Sequence, residues 1–488
     1  MLSNLTSLNL SPYLALYDQL IPKNHLLRQI NDLVDFSFVY ETLESQYSLD
    51  NGRTAVCPIQ MFKYLLLKSM YDLSDNDVVE RARYDLSFKY FLGLSPEDEV
   101  IHPSLLSKFR RQRLKDTDLL DILIQKTVKI ALEEEVIESK ELIMDATHTH
   151  SIYQSRKPQE VLHERAKQLR KAAYKVNERV KADFPPRNDD DDLAKELEYC
   201  QELITIIEQR PELTSFDAVK QKLNNLKEAV EDDLHELRSL GKDDAKLGHK
   251  SADSSFFGYK THIAMNGDRI ITAATVSTGE RADGKELKAL YKKSINQGLE
   301  INTVIGDAAY SSKDNIEFAL KNEFDLVSKL NPSVSDGCRT EEDQWDFNKD
   351  AGLYQCPEGH LAIRKARQGR KNDRKNQRET YFFNVEKCKI CPMKDGCYKE
   401  GAKSKSYSVT IQNHLHQHQL AFQNTVAFKE KAKSRYKIEA KNSELKNRHG
   451  MKKAKSVGLF GVTIQVGATI FITNMKRIIK LKEEKKEK

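Results

Sequence analysis

The sequence predicts an α/β protein, a mixed-sheet core with an all-helical N-terminal domain, a helical insertion and a Cys-rich insertion. Three observations lead there. Apolar residues recur at three- and four-residue spacing through the N-terminal region, as in PIQMFKYLLLKSMYDLSDNDVVERARYDLSFKYFLGL. Strand-like runs such as ELIM, FFGYKTHIAM and INTVIGD alternate with amphipathic helices further on. Two long stretches, 155–245 and 333–425, interrupt that alternation with a different composition.

Taken in order, residues 1–135 read as a helical DNA-binding domain. Ser74 is placed to cap a helix, with Asp77 at the spacing of a capping box. Pro103 opens the segment HPSLLSKFRRQRL. Short helices followed by one bearing Lys108, Arg110, Arg111 and Arg113 suit a helix-turn-helix reader. A solvated basic helix has the same pattern. Residues 136–154 hold a first core strand, expected to end at Asp145. Residues 155–245 turn helical and highly charged, with Leu223, Leu226, Val230, Leu234 and Leu237 at heptad-like spacing. FPPRNDDDD, 184–192, breaks that run, so the insertion is expected to be a helical hairpin, with the Asp run a solvated turn.

Residues 246–332 resume the core. Asn266-Gly267-Asp268 supplies a hairpin turn. DGKELKALYKKSINQG reads as a helix, INTVIGDAAYSS as a strand ending at Asp307, KDNIEFALKNEF as a helix and DLVSKLN as a strand. The Cys-rich basic insertion, 333–425, follows. Core helices carrying Glu439 fill 426–480, and 481–488 is a charged tail.

Composition limits the choices. A chain of 488 residues is too long for one compact domain. Its 39% hydrophobic content is enough for real cores. The formal net charge is only +6, but the sequence after Arg364 is far more basic than the helical middle, and a local basic face is what matters for nucleic acid. The start, MLSNLTSLNLSPYL, lacks the basic opening and cleavage site of a signal peptide. The apolar run 457–480 carries Thr463, Gln465, Thr469, Thr473 and Asn474, so it is expected to be a core helix and not a membrane span. A cytoplasmic protein is expected.

The chemistry-bearing residues are carboxylates. Asp145 and Asp307 each follow an apolar strand and precede small residues, DAT and DAA. In open α/β sheets ligand sites gather at strand ends. A Glu from a later helix can join them, and three carboxylates suit Mg²⁺, which prefers oxygen ligands and keeps positions open for water and phosphate. Glu439 stands in RYKIEAKNSELKNRHG, 435–450, between Arg435 and Lys446. At helical spacing these three share a face. Glu444 is a rival third carboxylate off that face.

These residues resemble bacterial insertion-sequence transposases with a DDE triad on an RNase H-like fold. The Glu helix of that family reads Y-x₂-R-x₃-E-x₆-K; here Arg435, Glu439 and Lys446 keep the spacing, and Ala432 stands at the Tyr position. VIGDAAYSS resembles the family's second-Asp segment, including an aromatic, Tyr310, soon after the Asp. FGYKTHIAM, STGERADGKEL, HGMKKAKSVGL and the N-terminal region are also similar to family segments. The resemblance implies that Asp145, Asp307 and Glu439 are catalytic and hold two Mg²⁺ or Mn²⁺ ions. It implies DNA contacts by Arg435, Lys446 and Tyr310. It further implies binding of terminal inverted repeats and target DNA, strand cleavage and strand transfer, and a homodimer or larger complex. A nuclease without strand transfer and a domesticated, non-catalytic DNA-binding protein are the alternatives.

Four of the seven Cys form a separate group: Cys356, Cys388, Cys391 and Cys397. Four thiolates close a tetrahedral structural zinc site, with His360 a spare ligand; reduced core thiols are the other reading. Cys57, Cys200 and Cys338 read as ordinary thiols. The stretch IRKARQGRKNDRKNQRET, 363–380, is either a phosphate-binding segment or a solvated loop. Trp345 is expected in a core or edge role more than stacked on a flipped base, and QNHLHQHQL, 412–420, as a polar helix.

Overall fold

The structure, a computed structural model, describes residues 11–47, 55–115, 117–152, 158–186, 192–230, 245–249, 255–331, 334, 345–369 and 377–487. The N-terminal part is helical: α1 (Ala15–Leu20), α2 (Leu26–Leu33), α3 (Ser37–Leu43), α4 (Pro58–Tyr71), α5 (Asp75–Tyr84), α6 (Leu86–Leu92), α7 (Ser104–Arg113) and α8 (Leu119–Glu133). Strand β1 (Glu141–His150) precedes α9 (Pro158–Val176), α10 (Leu193–Glu208), α11 (Pro211–Thr214) and α12 (Asp217–Glu228). Then come β2 (Lys246–His249), β3 (Ser255–Asn266), β4 (Ile271–Thr278), α13 (Leu287–Ile295), β5 (Thr303–Ile305), α14 (Lys313–Lys321) and β6 (Asp325–Val327). The Cys-rich part holds β7 (Asp346–Asn348), β8 (Leu353–Gln355), β9 (Arg364–Gln368), β10 (Arg378–Phe383), α15 (Val385–Lys389) and β11 (Lys405–Thr410). Helices α16 (His414–Gln423), α17 (Val426–Ala432), α18 (Tyr436–Arg448) and α19 (Gly458–Lys486) close the chain.

The chain divides into two compact units. One comprises Met1–Glu138, Ala146–Arg281 and Glu439–Lys488; the other comprises Ser139–Asp145 and Ala282–Ile438. These units cut across the segments expected from sequence.

In the first unit the N-terminal helices and the C-terminal helix share one core. Met61, Phe62, Leu65, Leu66 and Met70 of α4 meet Ile464, Ala468, Phe471, Met475 and Ile478 of α19 in one buried cluster. The three- and four-residue spacing in α19 lays these side chains on one stripe. By length and composition α19 is apolar enough to cross a membrane, but 83% of its apolar window is buried in the protein. It also runs on to Lys486, so the expected charged tail is mostly helix. Asn474, fully buried, fixes this helix: its amide donates to the Thr127 hydroxyl at 2.9 Å and to the Ile271 carbonyl at 2.8 Å, and accepts from Ile271 N–H at 2.9 Å.

Ser74 caps α5 by accepting from Asp77 N–H at 3.0 Å, as expected. The Asp77 carboxylate does not complete the box on the backbone; it accepts from the Ser74 hydroxyl at 2.6 Å instead. Beside this cap lies a buried ion cluster. Asp75 accepts two bonds from Arg110, at 3.0 and 2.6 Å, and one from Lys68 at 2.6 Å. Burial alone would raise the Asp75 pKa, but Arg110 and Lys68 outweigh it and hold the carboxyl well below its usual range.

The helical insertion is not a hairpin. Leu162 and Leu169 of α9, Leu203 and Ile207 of α10, and Leu223 and Leu226 of α12 form a core of their own. A turn after α9 and the short α11, opened by Pro211 after α10, divide the run into three longer packed helices, α9, α10 and α12. Asp192 caps α10, accepting from Ala194 N–H at 2.8 Å; residues 187–191, Leu234 and Leu237 lie outside the described residues. In the same unit β3 pairs antiparallel with β4 and with β2. The β3–β4 turn falls at the expected site, with Arg269 N–H donating to the Asn266 carbonyl at 3.0 Å.

Strand β1 does not stop at Asp145. Thr147 and Thr149 are β-branched and buried, and they carry the strand on beside β3, where Ser151 N–H donates to the Phe257 carbonyl at 3.0 Å. The end of β1 is held again by His150 N–H donating to the Lys452 carbonyl at 3.0 Å.

In the second unit the opening residues of β1 pair parallel with β5, and β5 pairs parallel with β6. The Gln419 amide of α16 donates to the Leu326 and Ser328 carbonyls at 2.8 and 2.9 Å, tying that helix to the end of β6. The His-rich segment is thus a helix whose buried polar group serves the sheet. In the Cys-rich part β10 pairs antiparallel with β9 and β11. Trp345 stacks on Tyr407 with centroids 4.6 Å apart, the edge role expected of it. Of the basic stretch 363–380, residues 370–376 lie outside the described residues; its flanks form β9 and β10.

The ion cluster yields a stability prediction. Asp75→Asn leaves Arg110 and Lys68 buried without their anion and should cost about 3–5 kcal/mol at neutral pH. Because the folded pKa of Asp75 is depressed, its contribution is present above the unfolded value and is lost as pH falls through the folded one. Chemical denaturation should therefore show the wild-type advantage over the variant at neutral pH shrinking below about pH 4.

Candidate active site

The two aspartates occupy matched positions. Ile143 of β1 pairs with Ile305 of β5 in parallel register, and Asp145 and Asp307 each lie two residues further on. Neighbouring strands run about 4.8 Å apart, and residues two apart share a face. Asp307 lies just past β5, after the ladder bond from Gly306 N–H to the Val327 carbonyl of β6 at 3.1 Å. Its carboxylate accepts from Ala309 N–H at 2.9 Å and caps a 3₁₀ turn, Ala308–Tyr310. Its carbonyl accepts from the Ser328 hydroxyl at 2.5 Å. Both carboxylates are half-buried, and Ala308 and Ala309 beside them are exposed.

Tyr310 lies beneath this pair. It has no solvent exposure, and its hydroxyl has no hydrogen-bond partner among the described residues. Burial raises its pKa well above the ordinary phenol value, and the charges of Asp145, Asp283, Asp307 and Glu286 push it further up. The ring is seated by Gly306, where a Cβ would come within 2.7 Å of it. A buried ring cannot touch DNA, so the expected Tyr310–DNA contact does not fit its position; the space left by Gly306 draws it inward.

The same neighbourhood includes two carboxylates not singled out from the sequence, Asp283 and Glu286, in a 3₁₀ turn Asp283–Glu286. The Asn315 amide latches this turn to the Asp307 segment, donating to the Gly284 carbonyl at 2.7 Å and to the Tyr310 carbonyl at 3.0 Å. A Cβ on Gly284 would stand 2.1 Å from the Ala309 carbonyl oxygen, so only glycine fits there. The signal was present in ADGKEL: an acid before a glycine and another three residues on.

Glu439 lies on α18, in the other compact unit; its residue is exposed. Lys446, two turns on, places its amine 3.5 Å from His148 Nδ1. Arg435 belongs to a 3₁₀ turn, Lys433–Arg435, ahead of α18, so α-helical spacing does not by itself align it with Glu439. Glu444 pairs with buried Lys441 at 2.9 Å. Of the four α7 cations, two are committed inside the protein: Arg110 to Asp75, and Arg113 to the Gln46 carbonyl and the Tyr47 ring, 4.3 Å away. Lys108 is exposed and Arg111 half-buried, and neither makes an ion pair among the described residues.

Comparison with known families bears directly on this arrangement. Residues 15–112 match a family described as a transposase domain (DUF772), and residues 355–479 match a transposase DDE domain. The two matches together support a DDE transposase of the insertion-sequence type. No curated protein matches it. The DDE match takes in Glu439 and the four clustered Cys, whereas Asp145 and Asp307 precede it. The transposase therefore joins a helical N-terminal region to a mixed α/β core and acts on DNA. Its family uses divalent metal. Among the described residues no three His, Cys, Asp or Glu side chains are gathered closely enough to hold an ion as they stand.

The four thiols of the transposase line one cavity of about 210 Å³, together with His360. Tight turns present them: Gly359 N–H donates to the Cys356 carbonyl at 2.8 Å, and Cys397 N–H to the Lys394 carbonyl at 3.1 Å after Gly396. Gly359 and Gly396 both adopt positive φ, +82° and +79°. Burial, and then Cys397 and Cys356, push the Cys388 thiol pKa up. Burial pushes the Cys200 thiol up to about 12, as suits a packed core thiol. Cys338 lies outside the described residues.

The position of Tyr310 is testable. Tyr310→Phe removes only an unsatisfied hydroxyl, so stability should hold or rise by up to about 1 kcal/mol, and DNA affinity should not change. A weaker DNA complex from an equally stable variant would show that the ring leaves its seat to meet DNA.

Proposed function

We propose that the protein binds the terminal inverted repeats of its own element and carries out divalent-metal-dependent strand cleavage and strand transfer. In this reading Asp145, Asp307 and Glu439 are the carboxylates that hold the metal. The observation that supports it best is that Asp145 and Asp307 each lie two residues beyond the parallel pair Ile143 and Ile305. Half-buried carboxylates suit Mg²⁺ or Mn²⁺, which take oxygen ligands. When bound, two such ions activate the attacking oxygen and stabilise the leaving one.

The chain's own residues do the rest. Small side chains at Ala146, Ala308 and Ala309 leave room for a sugar–phosphate backbone. Arg435 and Lys446, on either side of Glu439, hold phosphates and so fix the register of the strand without reading its sequence. Lys108 and Arg111 extend the DNA contact from α7. The working form is a homodimer or larger assembly on DNA, because an element has two ends to cut and join. The setting is the cytoplasm, on the nucleoid.

Asp145→Asn, Asp307→Asn and Glu439→Gln should each abolish Mg²⁺-dependent cleavage of element-end DNA while leaving binding largely intact. Each removes a ligand charge and little volume. Near-wild-type cleavage by any one of them takes that residue out of the proposal. Nicked DNA that is never joined reduces the activity to a nuclease.

We also assign Cys356, Cys388, Cys391 and Cys397 to a structural zinc site. The single cavity that all four line supports this. Purified protein should carry about one zinc per chain, lost when Cys388 and Cys391 are both changed to Ser, as expected when ligand thiolates are removed. Folded, active protein without zinc excludes it.

A further inference from the structure

The arc of α18 that runs from Ser443, beside Glu439, round to Arg448 on the far side lines a second charged cavity, of about 610 Å³, which the catalytic reading does not use. At roughly 100° per residue, Glu444, Arg448 and Lys441 lie roughly 140–200° around the helix from Glu439. Arg448, Lys441 and Glu444 line this cavity with Arg269 of the β3–β4 turn and Lys476, Arg477 and Lys480 of α19. All belong to the same compact unit.

Its charges do not balance. Glu444 is the only acid in the lining, and it is taken up by Lys441, whose side chain is 3% exposed. Arg477 and Lys480 lean towards Glu484 at 3.6 and 3.8 Å. Arg269, Arg448 and Lys476 make no ion pair among the described residues. Like charges gathered at one concave surface repel, and low-dielectric walls strengthen that repulsion. Burial lowers the pKa of Lys476; the charge of Glu444 opposes this in part, and that of Arg448 adds to it. Arg269 holds φ at +70°, the left-handed conformation that closes a hairpin turn, and from that turn it lines the cavity.

We propose that this cavity is a second DNA seat, holding phosphodiester groups away from the strand at Glu439. The inference rests on the transposase reading and deepens it. One helix meets DNA on two sides: the Glu439 side at the bond being broken, the Arg448 side on a flanking stretch or a second duplex. The contacts are phosphate contacts, so they carry no sequence information.

The test is DNA affinity of the full chain in EDTA as a function of salt, for an element-end duplex and for an unrelated duplex. Arg448→Ala/Lys476→Ala should flatten the slope of log affinity against log salt by about two units. The loss should be the same on both duplexes, with the thermal unfolding midpoint unchanged. Arg448→Lys/Lys476→Arg keeps both charges and should restore the slope. An unchanged slope in the alanine variant, or a loss confined to the element end, overturns the proposal. So does a variant that keeps its slope but changes oligomeric state, which would make the cavity a protein contact. Wild-type protein that binds DNA in EDTA but cuts no element-end DNA once Mg²⁺ is supplied in excess refutes the catalytic reading instead and leaves the seat standing.

Discussion

The parallel register of Ile143 with Ile305 is the constraint on which the proposed chemistry depends. A slip of one residue would turn one aspartate to the opposite face of the sheet. The register is held from both ends. Leu142, Ile143, Val304 and Ile305 are all at most 1% exposed, and strands this deeply buried have no alternative face to offer. Before them, Asn302 N–H donates to the Lys140 carbonyl at 3.1 Å, and Asp325 N–H to the Asn302 carbonyl at 2.9 Å. After them, Gly306 makes room for the Tyr310 ring, and Asn315 binds the Asp307 turn to the Asp283 turn. The aspartates are carried by backbone pairing, not by a flexible loop.

That rigidity concentrates negative charge. Asp145, Asp307, Asp283 and Glu286 all act on the one buried phenol of Tyr310. Carboxylates brought together disfavour one another's ionised form unless a cation is supplied. Nearby cations have partners of their own: Lys288 reaches Asp314 at 3.8 Å, and Lys431 is held by Asp325 and Thr303. Oxygen ligands gathered in this way are the kind that a divalent ion takes, which is why the proposed chemistry is placed here.

Much of this was legible in the sequence, because the decisive features are local. The DAT and DAA strand ends, the Asn266-Gly267-Asp268 turn and the helical period of α4 and α19 are short-range patterns. What was not legible depends on long-range partners. Nothing around Arg110 says that Asp75 will claim it, so a buried ion pair looked like a DNA contact. The end of β1 was placed at Asp145 because polar residues follow; Thr147 and Thr149 continue the strand only because β3 and residues 452–454 lie beside them. The inward turn of Tyr310 follows from the missing side chain of Gly306, four residues earlier. The third helix of the insertion was hidden by reading one interrupted heptad pattern as two arms.

Helix α18 shows how one polar-looking segment can carry several tasks. Ile438, Asn442, Leu445 and His449 are buried and recur at three- and four-residue spacing, so they form one stripe that fixes the helix in the protein. Glu439 lies next to that stripe, one residue on from Ile438, and Lys446 follows seven residues after Glu439 on the same side. The remaining arc carries Ala440, Ser443, Asn447 and Arg448 into the basic cavity, with Lys441 at the border between buried stripe and cavity. A helix used on all sides has no room for the broad apolar face of an ordinary amphipathic helix, which is why RYKIEAKNSELKNRHG reads as surface. The narrow stripe suffices because α18 is anchored at its end by the chain that follows: Met451 N–H donates to the Leu445 carbonyl at 3.1 Å, and Gln465 of α19 donates to the Gly450 and Lys453 carbonyls at 3.3 and 3.2 Å. The anchoring therefore comes from beyond the helix, and its own surface is left for charge.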